Sequence, residues 1–260
     1  MKNKLTNKRL ISLLTTVISI TVWILLWDFL SHLLDIEIYF PGPLVTLRAL
    51  LKLVVTLDFW QTVMYSMLRI MLGLLLGIVF GALLAFACKA IPHVTKFVGM
   101  GMTVVKSTPV ASIVIILWVI VAQNIGSEYL PVIIALLMVA PIIWQNLMDA
   151  FESIDSQLIE VATVFEFPFT KKLKLITLPA LIRYFVPAFL TSIGLSWKSG
   201  IAAEIIAYTK NSIGRHILDA KPFDGDVVFA WTIVVVFLSL VFELTAKALL
   251  RRYTANAKAD

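Results

Sequence analysis

The sequence predicts an all-α integral membrane protein with about six transmembrane helices, and two observations carry that reading. Of the 260 residues, 60% are hydrophobic and only 15% are charged, against about 45–50% and about 25% in soluble domains. The apolar residues also form long runs instead of alternating with polar ones, and the mean hydropathy is +0.95. A soluble fold of this length could not hide so much apolar surface, so the bilayer is the solvent and the chain reads as one membrane domain, 1–260.

A hydrocarbon core takes about 20 residues of helix to cross. Six segments approach or exceed that: Leu10 to Leu34, Tyr65 to Cys88, Ser107 to Ala122, Leu130 to Leu147, Tyr184 to Tyr208 and Val227 to Leu250. The third is the shortest. Lys2, Lys4, Lys8 and Arg9 precede the first, as in a signal peptide. Its apolar stretch is longer than the usual ~7–15 residues and no small-x-small cleavage site follows, which favours an uncleaved anchor. Asp28, beside Trp23 and Trp27, reads as its outer interfacial end.

After this span, Tyr39-Phe40-Pro41-Gly42-Pro43 is a turn, and Val45 to Val55 is expected as a helix on the outer surface with Arg48 and Lys52 four apart on one face. In the second span, Gly73, Gly77 and Gly81 repeat a small-xxx-small spacing. That spacing lets another helix backbone approach closely, and in lipid close packing replaces the hydrophobic effect. The third span opens at Lys106-Ser107-Thr108-Pro109 and is followed by Asn124-Ile125-Gly126.

The longest loop, about 148–183, follows the fourth span. Asp155 or Ser156 can cap a short helix whose Leu158, Val161, Ala162 and Phe165 form an apolar stripe. Phe167-Pro168 breaks it, and a second short helix is expected from Thr170 to Leu178, stopping at Pro179. Such a hairpin has nothing of its own to pack on, so its stripe calls for a membrane surface or a protein partner. Inside the fifth span, Lys198 and Glu204 would each cost about 2.5–3.5 kcal/mol if lipid-facing, and they lie about 120° apart around the helix. Two readings stand: Lys198 lines a path for an anionic solute, or both residues make structural contacts with neighbouring helices. In the last span, Glu243 and Lys247 are spaced as an i,i+4 ion pair.

Orientation follows from the basic residues. With the N-terminus inside, fifteen of the 22 lysines and arginines fall on inner segments. These are the four before the first span, then Lys89, Lys96, Lys106, Lys171, Lys172, Lys174, Arg183, Lys247, Arg251, Arg252 and Lys258. The remaining seven are Arg48, Lys52, Arg69, Lys198, Lys210, Arg215 and Lys221. Both termini are therefore expected in the cytoplasm. The net charge of +6 is thus spent on topology and does not point to nucleic acid.

Several chemistries lack their motifs. Cys88 is the only cysteine, and His32, His93 and His216 are too far apart in sequence to form a ligand cluster, so no metal site is expected. Neither His-Glu-x-x-His nor Gly-x-Ser-x-Gly is present. Lys106-Ser107 mimics the end of a phosphate-binding loop, but the two required glycines would fall at Met100 and Val105. Any ATPase must be a separate chain. An ion-gradient transporter would show inverted repeats, broken helices and several buried carboxylates; no convincing repeat is visible.

The stretch Glu160-Val161-Ala162, then Glu166, then Ile176-Thr177-Leu178-Pro179 resembles the EAA loop of ABC-importer permeases: Glu-Ala-Ala, a Gly four residues on, and Ile-x-Leu-Pro ten further. Val161 replaces the middle Ala and Glu166 the Gly, so the bend is expected at Phe167-Pro168 instead. The resemblance runs over about 41–243. It also rests on Lys106-Ser107-Thr108-Pro109, Asn124-Ile125-Gly126, Gly194 to Glu204 and Ser212-Ile213-Gly214-Arg215, and is strongest toward permeases of nitrate, sulfonate and taurine importers. It implies a type I ABC-importer permease in the bacterial inner membrane, working without a cofactor of its own. The implied partners are a cytoplasmic ATPase dimer, an extracytoplasmic substrate-binding protein and a second permease copy. Glu160, Val161, Ala162, Glu166, Ile176, Leu178 and Pro179 would form the ATPase-coupling loop. Trp197, Lys198 and Glu204 are the candidates for the translocation path.

Overall fold

The computed structural model describes residues 2–34, 36, 38–124, 126–220 and 224–256, and among these there is no strand. Ile125, Lys221 and Lys258 lie outside the described residues. Eleven α-helices follow in order: α1 (Lys2–Leu34), α2 (Pro43–Val54), α3 (Leu57–Ala90), α4 (Pro92–Ser107), α5 (Val110–Asn124), α6 (Leu130–Glu152), α7 (Ser156–Val164), α8 (Phe169–Lys172), α9 (Leu178–Ile206), α10 (Ile213–Asp219) and α11 (Gly225–Asn256). The chain divides into two compact units, one of residues 1–60 with 216–234 and one of residues 61–215 with 235–260.

In the first unit, the turn after α1 is tied back to it. Trp27 Nε1 donates to Pro41 O at 3.0 Å and Ser31 Oγ to Phe40 O at 2.8 Å. Helix α2 starts two residues earlier than expected, because Pro43, with no N–H to lose, suits a first-turn position. Phe229 stacks on Trp27 and meets Phe40 edge-on, with centroids 5.8 and 5.3 Å apart.

The second unit is built around α6. Its Val139, Ile143, Leu147 and Ala150 share an apolar core with Leu74 and Ala85 of α3, Leu181 and Ile193 of α9 and Ala246 of α11. Leu130, Ile134 and Met138 form a second cluster with Val114 and Val121 of α5 and Ala203 of α9. The glycine stripe makes the first core possible. A Cβ on Gly73 would lie 2.5 Å from Val132 O, one on Gly77 2.7 Å from Val139 Cβ, and one on Gly81 2.5 Å from Ala140 O. All three glycines therefore touch the α6 backbone or its Cβ atoms, the close approach that membrane packing rewards.

Among the described residues, five helical segments are long and apolar enough to cross a bilayer alone: Leu14–Leu34, Leu57–Ala90, Ser127–Glu152, Phe169–Ile206 and Gly225–Ala248. The expected third span is not a straight helix. Helix α5 has 15 residues, about 22 Å against a core of about 30 Å. It joins α4 at a 102° bend, where Thr108, held extended by the following Pro109, breaks the helix. The glycine contacts decide whether that bent pair crosses. Gly73, Gly77 and Gly81 meet successively later residues of α6, so α3 and α6 run parallel. Two parallel spans require the intervening chain to return across the membrane, so α4 and α5 together make the sixth crossing.

Candidate functional site

The loop after α6 forms the expected short helix. Asp155 is the N-cap of α7, its carboxylate accepting from Gln157 N at 2.9 Å. Of the predicted apolar stripe only Ala162 is buried; Leu158, Val161 and Phe165 are 53%, 50% and 70% exposed. Glu160 and Glu166 are exposed as well. The face is thus apolar and uncovered within this chain.

The bend is made at Glu166, not at Phe167-Pro168. Glu166 takes φ +52°, the left-handed conformation for which glycine is the usual residue. Phe167 N donates to Ala162 O at 2.9 Å and Glu166 N to Thr163 O at 3.0 Å. These are the two crossed bonds of a Schellman cap, with Glu166 at the position after the C-cap. Substituting the Gly of the family pattern therefore keeps the turn and adds strain to it. Lys172 Nζ reaches Thr163 Oγ1 at 3.3 Å and Lys171 sits 4.0 Å above the Phe167 ring, bracing the corner from the following helix.

The second short helix does not stop at Pro179. Helical structure runs unbroken from Phe169 to Ile206, 38 residues, through a five-residue π segment, Leu173–Thr177. Proline clashes with the carbonyl four residues back in a regular α-helix. The wider π turn lies just before Pro179, which then occupies the first turn of α9. Ile176 is half-buried, and Leu178 and Pro179 are exposed. The loop thus leads without a break into a membrane-spanning helix, so a displacement of it is carried into α9.

Within α9 the three candidate path residues have different surroundings. Trp197 is fully buried, its Nε1 donating to Val235 O at 3.0 Å and its ring 5.3 Å from Phe242. Glu204 is fully buried too. Its Oε2 accepts from Ser66 Oγ at 2.9 Å and from Gly214 N at 3.1 Å, while Ser66 Oγ accepts from Ile213 N at 2.9 Å. One carboxylate thereby joins α3, α9 and the start of α10. A Cβ on Gly214 would lie 2.5 Å from Glu204 Cβ, so only glycine fits there. The loop so held is strained: Tyr208 and Asn211 have φ of +51° and +46°. Arg69 Nη1 donates to Asn211 O at 3.1 Å. Lys198 is exposed, about 120° around α9 from Glu204 as the spacing requires. Glu243 and Lys247 form the expected ion pair.

Ser66 was not legible in the sequence as a partner of Glu204, which lies 138 residues away. Its only signal was a lone hydroxyl in an apolar span one turn before Arg69. Among the described residues no group of three His, Cys, Asp or Glu side chains could hold a metal ion.

Known proteins match this architecture. The family model described as "Binding-protein-dependent transport system inner membrane component" matches residues 73–255. The taurine transport system permease protein TauC of Escherichia coli (strain K12) is 26% identical over 250 residues, 94% of this chain and 88% of that protein. A solved bacterial ABC transporter involved in the import of the acidic polysaccharide alginate has a chain with TM-score 0.63 and 19% identity, covering 94% of this chain and 96% of that one. A chain of the MetNI methionine ABC transporter, in inward-facing conformations, gives TM-score 0.56 at 15% identity, over 74% and 93%.

Proposed function

From the fact that the chain belongs to the family of binding-protein-dependent transport system inner membrane components, and so is an ABC-importer permease, we propose how it works and what it carries. It is a single permease domain, 1–260, of the bacterial inner membrane with both termini cytoplasmic. It pairs with a second copy of itself, receives solute from an extracytoplasmic binding protein, and alternates its access under the drive of a separate cytoplasmic ATPase dimer. The solute is a small oxyanion or sulfonate, a reading supported by the taurine permease among its relatives and by the exposed Lys198 of α9.

The observation that carries the coupling is the uncovered loop. Glu160, Val161 and Glu166 are exposed around the α7 cap, and Ile176, Leu178 and Pro179 open α9 without a break. Docking of the ATPase on this surface, with Ala162 and Glu166 fixing its shape, transmits nucleotide-driven closure directly into a transmembrane helix. Trp197 and Glu204 serve the path by holding α9 in place, while Lys198 meets the solute. The test is co-purification of the chain with the ATPase encoded beside it, comparing the native protein with Glu160→Lys. The native pair is expected to hold while the variant loses most ATP-coupled uptake. Failure of the native chain to retain any ATPase would overturn the assignment.

A further inference from the structure

A cavity of about 390 Å³ opens where α4 ends against α6, lined by Met102, Thr103, Lys106, Ser107, Pro141, Trp144 and Gln145. Each of its polar side chains carries a donor. Lys106 brings a positive charge, Ser107 a hydroxyl and Gln145 an amide, and no acidic side chain lines the cavity among the described residues. Trp144 forms one wall and is 6% exposed, its indole nitrogen covered by the protein. Thr103 and Gln145 each spend one donor locally, on Gly99 O and on Asp149 Oδ1, both at 2.8 Å. The exposed Lys106 and Ser107 ask for a ligand rich in acceptor oxygens.

A second cavity, of about 510 Å³, adjoins the first and shares Met102 and Pro141 with it. Its walls include Phe80, Leu84, Phe97 and Leu137, and Phe97, 82% exposed, stands at its rim. Together the two make a trough with a cationic, donor-lined end and an apolar length. A free oxyanion would fill the polar end only and leave the apolar end without contacts. A lipid fills both. We propose that this trough binds one anionic phospholipid, its phosphate on Lys106 and Ser107, and an acyl chain along Phe80, Leu84 and Leu137. In the proposed orientation the polar end faces the cytoplasmic leaflet, whose anionic lipids favour lysine-bearing pockets between helices. The lipid then braces the 102° bend between α4 and α5.

The test uses the full chain, purified in detergent and stripped of lipid, with its melting temperature followed while phosphatidylglycerol or phosphatidylcholine of the same chain length is added. Phosphatidylglycerol is expected to stabilise at ratios where phosphatidylcholine does not. Lys106→Gln should raise the half-saturating amount about fivefold. Ser107→Ala should also raise it, whereas Lys52→Gln on α2 should not. Equal stabilisation by phosphatidylcholine would overturn the proposal, as would the same effect from inorganic phosphate or taurine alone, which would make the site one for a free anion. An unchanged response in Lys106→Gln would overturn it as well. So would a disulfide-linked dimer formed by Phe97→Cys, which would show a second copy covering the trough.

Discussion

Replacing Glu166 by glycine isolates the strain at the corner after α7. A residue with a side chain in the left-handed region costs about 1–2 kcal/mol, and Glu166 sits there at φ +52°. Glycine relieves that cost but loses more chain freedom on folding, about 0.5–1 kcal/mol. The net gain is about 0.5–1 kcal/mol, which shrinks local opening about two- to fivefold. The amides that report it are those of Glu166 and Phe167, bonded to Thr163 O and Ala162 O. In hydrogen-exchange measurements on the full chain, both should exchange two- to fivefold more slowly, by that same estimate of about 0.5–1 kcal/mol, in Glu166→Gly. Glu166→Ala, which keeps the strained φ, should match the native protein, and the β-branched Glu166→Val should exchange faster. Protection by alanine equal to that by glycine would refute the reasoning, because the strain would then belong to the carboxylate and not to the backbone.

Three further outcomes follow from the packing and the buried carboxylate. Gly77→Ala, whose new methyl would stand 2.7 Å from Val139 Cβ, should force α3 from α6 and lower the melting temperature in detergent, at a cost of about 1–3 kcal/mol. Gly194→Ala, where nothing lies within 4 Å, should be neutral or gain up to about 1 kcal/mol from helix propensity; equal losses in both would dismiss the close-approach argument. Glu204→Ala strands the Ser66 hydroxyl and the Gly214 N–H, each worth about 1–3 kcal/mol when buried unpaired, while Glu204→Gln keeps an acceptor oxygen. The alanine variant should therefore melt lower, and the opposite order would mean that charge, not hydrogen bonding, holds the clamp.

By itself the sequence determined the solvent, the spans and the loop. Apolar runs, basic loops and the spacing from Glu160 to Pro179 are local patterns, and the energies behind them, lipid transfer and helix formation, act over about twenty residues. The Asp155 cap and the Glu243–Lys247 pair were legible for the same reason: their partners lie within four residues. The tertiary structure decided the rest. Whether 107–122 crosses the membrane depended on α3 and α6 pairing in parallel through Gly73, Gly77 and Gly81, which no run length encodes. Glu166 takes the left-handed turn despite its side chain because the bonds to Ala162 and Thr163 fix the corner. Pro179 fails to end its helix because a π turn makes room for it. The partners of Glu204 come from α3 and from beyond α9, brought together only when the helices pack; a single buried carboxylate in a sequence carries no address for them.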